Sequence, residues 1–140
     1  TEAGLFITRG DIYSVEQKPH RVRHIHTNRL RFGIGNMQVI QARLPDGLTD
    51  LPDPDRVFIG GGGKHLGDII QLAAGRLKPA GIIVINTVLV ENMATATRSL
   101  EDLGLDMDMI QVQVNRARPM PFSQRLEAAN PVWIITGRRP

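Results

Sequence analysis

The sequence predicts an α/β fold in which a mostly parallel sheet carries helices on both faces. First, strand-like segments alternate with segments of helical periodicity along almost the whole chain, which is typical of parallel strands joined by crossover helices. Second, Ile82–Ile85 is an unbroken β-branched run, typical of a strand covered on both faces. Third, the last two strand patterns have no helical pattern between them and are therefore predicted to pair antiparallel.

The individual elements follow from apolar periodicity and from the glycines and prolines that bound it. The predicted helices are the tail of one over 1–6, then 19–32, one turn at 45–48, 66–77 and 89–103. The predicted strands are 11–16, 37–40, 57–59, 82–85, 110–115 and 132–136, with a turn-like connection over 116–131. This order predicts a Rossmann-like, doubly wound sheet that closes with an antiparallel strand pair. The length predicts a single domain over residues 1–140.

Composition excludes several classes of protein. The chain is 41% hydrophobic and 22% charged, as in ordinary globular proteins, and has no cysteine. A disulfide framework, a cysteine zinc site and thiol catalysis are therefore excluded. No apolar run reaches a membrane span and no signal peptide is visible, so we predict a cytoplasmic protein without a membrane partner. A net charge of +3 and an aromatic content of 4% do not favour nucleic acid as a partner.

Four consecutive glycines, Gly60–Gly63, lie between a predicted strand and a predicted helix in "RVFIGGGGKHLGDII". A phosphate loop requires glycine at position 58 and Ser or Thr at position 65, where this sequence has Phe58 and His65. The dinucleotide pattern G-x-G-x-x-G fits Gly60 and Gly62 but also fails at His65. Two glycines would be explained by a flexible turn. Four favour a binding surface, because a ligand at the carboxyl end of a parallel strand can then lie against bare backbone.

Glu16 is the second candidate, because it ends the predicted strand 11–16. A carboxylate in this position can accept hydrogen bonds from both ribose hydroxyls of an adenosine cofactor. A solvated surface glutamate is the alternative interpretation. The agreement with the glycine loop favours the ribose role.

Several segments resemble a known family of methyltransferases. They are "IYSVEQKPHRVRHIHTNRLRFGIGNMQVIQ", "LPDPDRVFIGGGGKHLGDII", "LKPAGIIVINTVLVEN", "QVQVNRARPM" and "RLEAANPVWIITG". Together they resemble the decarboxylating C-15 methyltransferases of cobalamin biosynthesis, which occur as separate proteins or as the C-terminal half of precorrin-6Y C5,15-methyltransferase. The resemblance covers nearly the whole chain and implies the fold of class I S-adenosylmethionine-dependent methyltransferases.

The sequence departs from that family in two places. Members open their cofactor site with a first strand and a loop of the D-I-G-A-G-T-G kind, and nothing here matches. Because the chain begins with Thr1 rather than methionine, we expect an N-terminally truncated, partial domain that is inactive alone. Relatives also carry a Gly-Asp or Gly-Glu pair where this chain has Ala42 and Arg43, which weakens the expectation of adenine contacts there.

The resemblance implies methylation of carbon 15 of precorrin-6B, or of its cobalt form, with loss of carbon dioxide from the ring C acetate. S-adenosylmethionine would be the cofactor, held by Glu16, Gly60, Gly61 and Gly62. The macrocycle carries several carboxylates, so basic residues are its expected contacts. The proposed substrate contacts are Gly63, Lys64, Arg116, Arg118 and Arg125. Each arginine is equally well explained as a solvated charge in the connection between the last two strands.

Three polar residues follow the strand 82–85, and the resemblance places their segment near the reacting ring. They are Asn86, Thr87 and Glu91. Glu91 is equally well explained as an acid in the first turn of a helix. No dedicated catalytic group is required for this reaction. His20 and His24 have the spacing of a metal pair, but no third ligand is evident, so no metal site is predicted.

The family resemblance also implies a homo-oligomer, a tetramer by analogy with relatives. Two other interpretations of the chain remain open at this point. One is methylation of a different substrate such as RNA, because the fold is shared and the chain is basic. The other is a non-catalytic fragment.

Overall fold

The computed structural model describes residues 1–140. Its helices are α1 (Glu2–Phe6), α2 (Pro19–Arg31), α3 (Leu66–Gly75) and α4 (Val90–Asp102), with 3-10 turns at Asp46–Leu48 and Gly63–His65. Its strands are β1 (Ile12–Glu16), β2 (Met37–Gln41), β3 (Arg56–Ile59), β4 (Ile82–Thr87), β5 (Asp106–Val112), β6 (Asn115–Met120), β7 (Ser123–Ala128) and β8 (Val132–Arg138). None of the helices is both long enough and apolar enough to cross a membrane.

The chain divides into two compact units, residues 1–52 and residues 53–140. In the first unit β1 and β2 pair in parallel, with Ile12 opposite Met37. The helix between them, α2, begins at Pro19, whose missing N–H costs nothing in a first helical turn. It ends at Arg31, and at Gly33, where φ is +64°, the chain turns back so that Ile34 is buried. The N–H of Ile34 donates to the carbonyl of Arg29, the bond that closes a Schellman motif.

The second unit contains a four-stranded sheet in the order β3-β4-β8-β5. β3 and β4 are parallel, whereas β8 runs antiparallel to both of its neighbours. Ile83, Ile85 and Ile135 are fully buried in its core together with Leu100 of α4. A side chain at Gly137 would come within 3.0 Å of Leu100, so the glycine permits α4 to lie close to the sheet.

The predicted antiparallel closing pair is confirmed, because β5 and β8 pair antiparallel over their whole lengths. The prediction of a turn-like connection over 116–131 is wrong, because most of it forms the hairpin β6–β7. Pro119 and Pro121 favoured a turn. Only Pro121 and Phe122 form the turn, however, and β6 accommodates Pro119 because a two-stranded hairpin has free outer edges.

The strand β4 was predicted to be covered on both faces. Ile83 and Ile85 are buried, but Ile82 and Val84 on the opposite face are half-buried, so only one face is fully covered within this unit. The two parallel pairs, β1–β2 and β3–β4, belong to separate sheets. The chain divides into two compact units, and that it forms a single domain over residues 1–140 stays a prediction.

Candidate active site

The glycine loop leaves the sheet where β3 ends. Ile59 is the last residue of β3 paired with β4, opposite Ile85, and Gly60–Gly63 follow directly. Gly63 has φ +51°, a conformation that side chains rarely adopt. A side chain on Gly62 would come within 2.7 Å of the Leu66 side chain and 3.1 Å of its Cα. These two glycines are therefore needed for the turn that starts α3.

Gly61 differs from these two glycines. Its φ lies outside the left-handed region, and an added Cβ would meet no protein atom within 4 Å. Neither the turn nor the packing requires glycine there. The open space in front of Gly61 lies in a cavity.

This cavity has a volume of about 390 Å³, within the range of ligand clefts. It is lined by Gly60–Gly63, by Asn86–Leu89, by Asn92 and by Val132. No charged side chain lies among these residues. Asn92 and Val132 are two lining residues that were not predicted from the sequence, and only the tertiary structure brings the start of β8 to this loop.

Asn86 and Thr87 end β4 and both line the cavity, as predicted for a pocket after that strand. The hydroxyl of Thr87 accepts a hydrogen bond of 3.1 Å from the N–H of Leu89, the residue that precedes α4. Thr87 thereby helps to start the helix. The Oδ1 of Asn86 is buried and has no hydrogen-bond partner in the protein. A buried amide oxygen without a partner is unusual and is expected to have a purpose.

Glu91 lies in the first turn of α4, is exposed and does not line the cavity. An acidic residue at this position interacts favourably with the helix dipole. The position of Glu91 agrees with the interpretation as an acid in the first turn of a helix. Lys64 is exposed and follows the glycines directly, but its side chain does not line the cavity either.

Glu16 ends β1 in the first unit, as predicted, and its side chain is 20% exposed. Its Oε1 accepts a hydrogen bond of 2.8 Å from the N–H of Lys18, and its Oε2 lies 3.7 Å from Nη1 of Arg21. A carboxylate has about four acceptor positions. Glu16 therefore retains acceptor capacity for ligand hydroxyl groups.

The three arginines proposed as substrate contacts all lie on the β6–β7 hairpin. Arg118 forms an ion pair with Glu127 and stands opposite Arg125 in the hairpin register. Arg116 is also exposed, and none of the three lines the cavity. The structure thus places the proposed cationic contacts and the glycine cavity on different elements of the second unit.

The histidines form no metal site. The rings of His20 and His24 lie 6.3 Å apart, edge to face, on α2. Nδ1 of His65 lies 3.8 Å from Oδ2 of Asp68, one turn along the chain. No group of three or more His, Cys, Asp or Glu residues in the chain is arranged to hold a metal ion.

Comparison with known proteins gives a consistent result. The family profile described as precorrin methyltransferase domain matches residues 6–138. A probable cobalt-precorrin-6B C(15)-methyltransferase (decarboxylating) from Pyrobaculum calidifontis is 35% identical over 137 residues, which are 96% of this chain and 70% of that protein. A protein of the same name from Methanothermobacter thermautotrophicus is 29% identical over 125 residues, covering 89% of this chain.

The chain spans 65% of the length of the Methanothermobacter protein, so it corresponds to part of that relative. Among solved structures, precorrin-6y C5,15-methyltransferase from Geobacter metallireducens superposes with a TM-score of 0.89 at 38% identity. The superposition covers 99% of this chain and 73% of that one. The profile match extends over nearly all of the sequence and the structural match over both units. The chain therefore belongs to the precorrin methyltransferase family.

Proposed function

We propose that the protein transfers a methyl group to carbon 15 of precorrin-6B, or of its cobalt form, and removes carbon dioxide from the ring C acetate, in cobalamin biosynthesis. The observation that carries the proposal is the match of 96% of the chain to a protein with that name. The cavity in front of bare glycine backbone adds physical support, because a ligand can approach the main chain closely there.

We propose S-adenosylmethionine as the cofactor. In the first unit, Glu16 has free acceptor positions that suit the two ribose hydroxyls. In the second unit, the backbone of Gly60, Gly61 and Gly62 admits close approach of a ligand, and the space beside Gly61 is unfilled. Each of these two groups, taken by itself, suits one part of this cofactor. When bound, it supplies a methyl group on a sulfonium, which is already a strong electrophile.

Such a reaction does not require a nucleophilic side chain. The reduced macrocycle is electron-rich, so the task of the chain is to hold the reacting carbon in line with the donor methyl group and to exclude water. In the cavity, Gly61 provides bare backbone against which a ligand can lie, and Asn86 provides an amide that can orient it. Loss of the carboxyl group returns an electron pair to the ring, so no catalytic triad is needed.

We further propose that Lys64, Arg116, Arg118 and Arg125 bind the peripheral carboxylates of the macrocycle. All four side chains are exposed, and arginine pairs with carboxylates through two parallel hydrogen bonds. Arg116→Ala should raise the KM for precorrin-6B about threefold to tenfold, with little change in kcat, because exposed charge pairs contribute modestly. The exposed Arg98→Ala on α4 is the matched control. An unchanged KM in Arg116→Ala would remove this arginine from the substrate site.

We propose that the protein forms a homo-oligomer through β5 and the β6–β7 hairpin. The hairpin exposes Met120, Phe122 and Leu126, and β5 exposes Met109 and Ile110. A two-stranded hairpin is marginally stable by itself. A second copy of the chain would cover this apolar surface and complete the sheet. A tetramer is the specific assembly implied by the family resemblance.

The reaction is tested with the full-length protein, S-adenosylmethionine and precorrin-6B. Mass spectrometry should detect a product that has gained a methyl group and lost a carboxyl group, with carbon dioxide released in equal amount. Glu16→Gln, which keeps the shape but removes the charge, should weaken binding of S-adenosylhomocysteine in calorimetry. The proposal fails if the full-length protein yields neither the methylated product nor carbon dioxide.

A further inference from the structure

The β6–β7 hairpin carries all of its charges on one face. Side chains alternate between the two faces of a strand, and directly opposed residues share a face. The register opposes Arg118 to Arg125, and the neighbouring pair on the same face is Arg116 with Glu127. Three arginines and one glutamate give this face a net charge of +2.

Two of these guanidinium groups are unpaired in the chain. Glu127 forms its ion pair with Arg118, and neither Arg116 nor Arg125 has an acidic partner. Like charges directly opposite each other destabilise a strand pair, so the opposed Arg118 and Arg125 weaken the hairpin. A carboxylate bound between them would remove this repulsion and accept hydrogen bonds from both.

The other face of the hairpin carries no charge. It presents Ala117 opposite Leu126 and Pro119 opposite Gln124. Leu126 is 72% exposed, and Phe122 at the tip is completely exposed. Because a two-stranded hairpin is marginally stable by itself, this apolar face is expected to pack on another surface.

The hairpin does not cover the cavity of its own chain. Every residue of β6 and β7 is exposed, so neither face packs on the rest of the chain. The hairpin leads into β8 at Val132, which lines the cavity. At about 3.3 Å per residue, the chain from Arg125 to Val132 reaches up to roughly 20 Å, and no hairpin residue lines the cavity.

We propose that the hairpin packs its apolar face on a second copy of the chain and places its arginines beside the cavity of that copy, where they bind the carboxylates of the substrate. The inference rests on the proposed function and adds that each substrate site is completed by a neighbouring copy. The cavity keeps its proposed role towards the cofactor, and the arginines lie outside it.

A second copy is the partner that supplies what each region lacks. The cavity has no charged lining residue, although the proposed substrate is a polyanion. The hairpin has unpaired cations and an uncovered apolar face. In a two-fold arrangement each copy gives its hairpin and receives the other, so both sites are completed by the same contact.

The test mixes two defective variants of the full-length protein. Gly61→Leu fills the cavity without meeting a protein atom at its Cβ. The hairpin variant combines Arg116→Ala, Arg118→Ala and Arg125→Ala. The two are co-expressed with different tags, and the mixed oligomers are purified through both tags. We expect them to regain about a quarter to a half of the unmodified kcat/KM for precorrin-6B, because an intact hairpin completes an intact cavity once in each two-fold pair.

The reverse mixture is the matched control. One chain carries all four substitutions, and the other is unmodified. If the hairpin serves a neighbouring copy, these mixed pairs are inactive, because the intact cavity receives the defective hairpin. If the hairpin serves its own chain, they keep about half of the activity. Sedimentation of both mixtures should match that of the unmodified protein, since the substituted arginines lie on the charged face.

The inference is overturned if the first mixture is no more active than its two components, or if the reverse mixture keeps half of the activity. It is also overturned if the active, unmodified protein sediments as a single copy. In each of these cases the proposed function stands, because methyl transfer by the unmodified protein is measured separately. If the unmodified protein transfers no methyl group, the proposed function fails and this inference with it.

Discussion

The glycine cavity and the β6–β7 hairpin lie in the same compact unit but differ in almost every physical respect. The cavity is lined by backbone, uncharged polar side chains and apolar side chains, and it lies at the ends of β4 and β8, whose inner faces are buried. Every residue of the hairpin strands is exposed, and the hairpin carries three arginines and several large apolar side chains. A large anionic substrate needs both shape and charge for recognition. On the proposed function, the cavity would supply the shape and the hairpin the charge and the surface for assembly.

The largest expected difference between the two regions is in folding stability. Ile135→Ala, in the fully buried centre of β8, should lower the free energy of unfolding by about 2–5 kcal/mol, because it leaves a cavity in the core. Leu126→Ala, on a hairpin residue that is 72% exposed, should change it by less than about 0.5 kcal/mol. Denaturant unfolding at low protein concentration measures both. Equal losses of unfolding free energy in the two variants would show that the hairpin is part of the core and that the two regions do not differ in stability.

The next effect separates two neighbouring glycines of the loop. Gly62→Ala should lower the free energy of unfolding by about 1–3 kcal/mol, because the new methyl group overlaps Leu66. Gly61→Ala should change it by less than about 0.5 kcal/mol, because no protein atom lies near the added carbon. Urea midpoints of the two variants, measured side by side, decide this. If Gly61→Ala were also destabilised, both glycines would be required for the stability of the fold.

The same Gly61→Ala variant should nevertheless bind S-adenosylmethionine poorly. A methyl group in front of the loop would occupy the cavity, and we expect the KM for S-adenosylmethionine to rise about tenfold. Gly75→Ala is the matched control, since Gly75 at the end of α3 also has no atom within 4 Å of an added carbon but lies outside the cavity. Normal kinetics in Gly61→Ala would show that no ligand approaches this backbone.

The smallest expected effect on the single chain is at the hairpin tip. Phe122 is completely exposed, so Phe122→Ser should leave the stability of the isolated chain within about 0.5 kcal/mol. If the hairpin joins copies of the chain, the same change should shift the sedimentation profile towards smaller species. Phe6→Ser is the control, because Phe6 is also exposed but lies in the first unit. An unchanged assembly would show that the hairpin does not join the copies.

Much of the fold was predictable from the sequence, because most helices and strands follow from the spacing of apolar residues close together in the chain. The apolar spacing of 66–77 and 89–103 predicted α3 and α4, and the family resemblance and the fold are confirmed by the profile match and by the Geobacter structure. The hairpin was missed because its strands are exposed and carry no apolar alternation, so two prolines dominated the pattern. The proposed contacts at Glu16, Lys64 and the three arginines stay predictions.

The sequence by itself determined most of the strands and helices outside the β6–β7 hairpin, where the glycines break them, and which family the chain resembles. These features depend on neighbours along the chain and on patterns that repeat locally. Only the tertiary structure decided that Gly61 is free of any packing requirement, that Asn86 keeps an unpaired amide oxygen, and that Asn92 and Val132 complete the cavity. Those properties arise from residues far apart in sequence. They appear only when the end of β3, the end of β4, α4 and the start of β8 meet at one place.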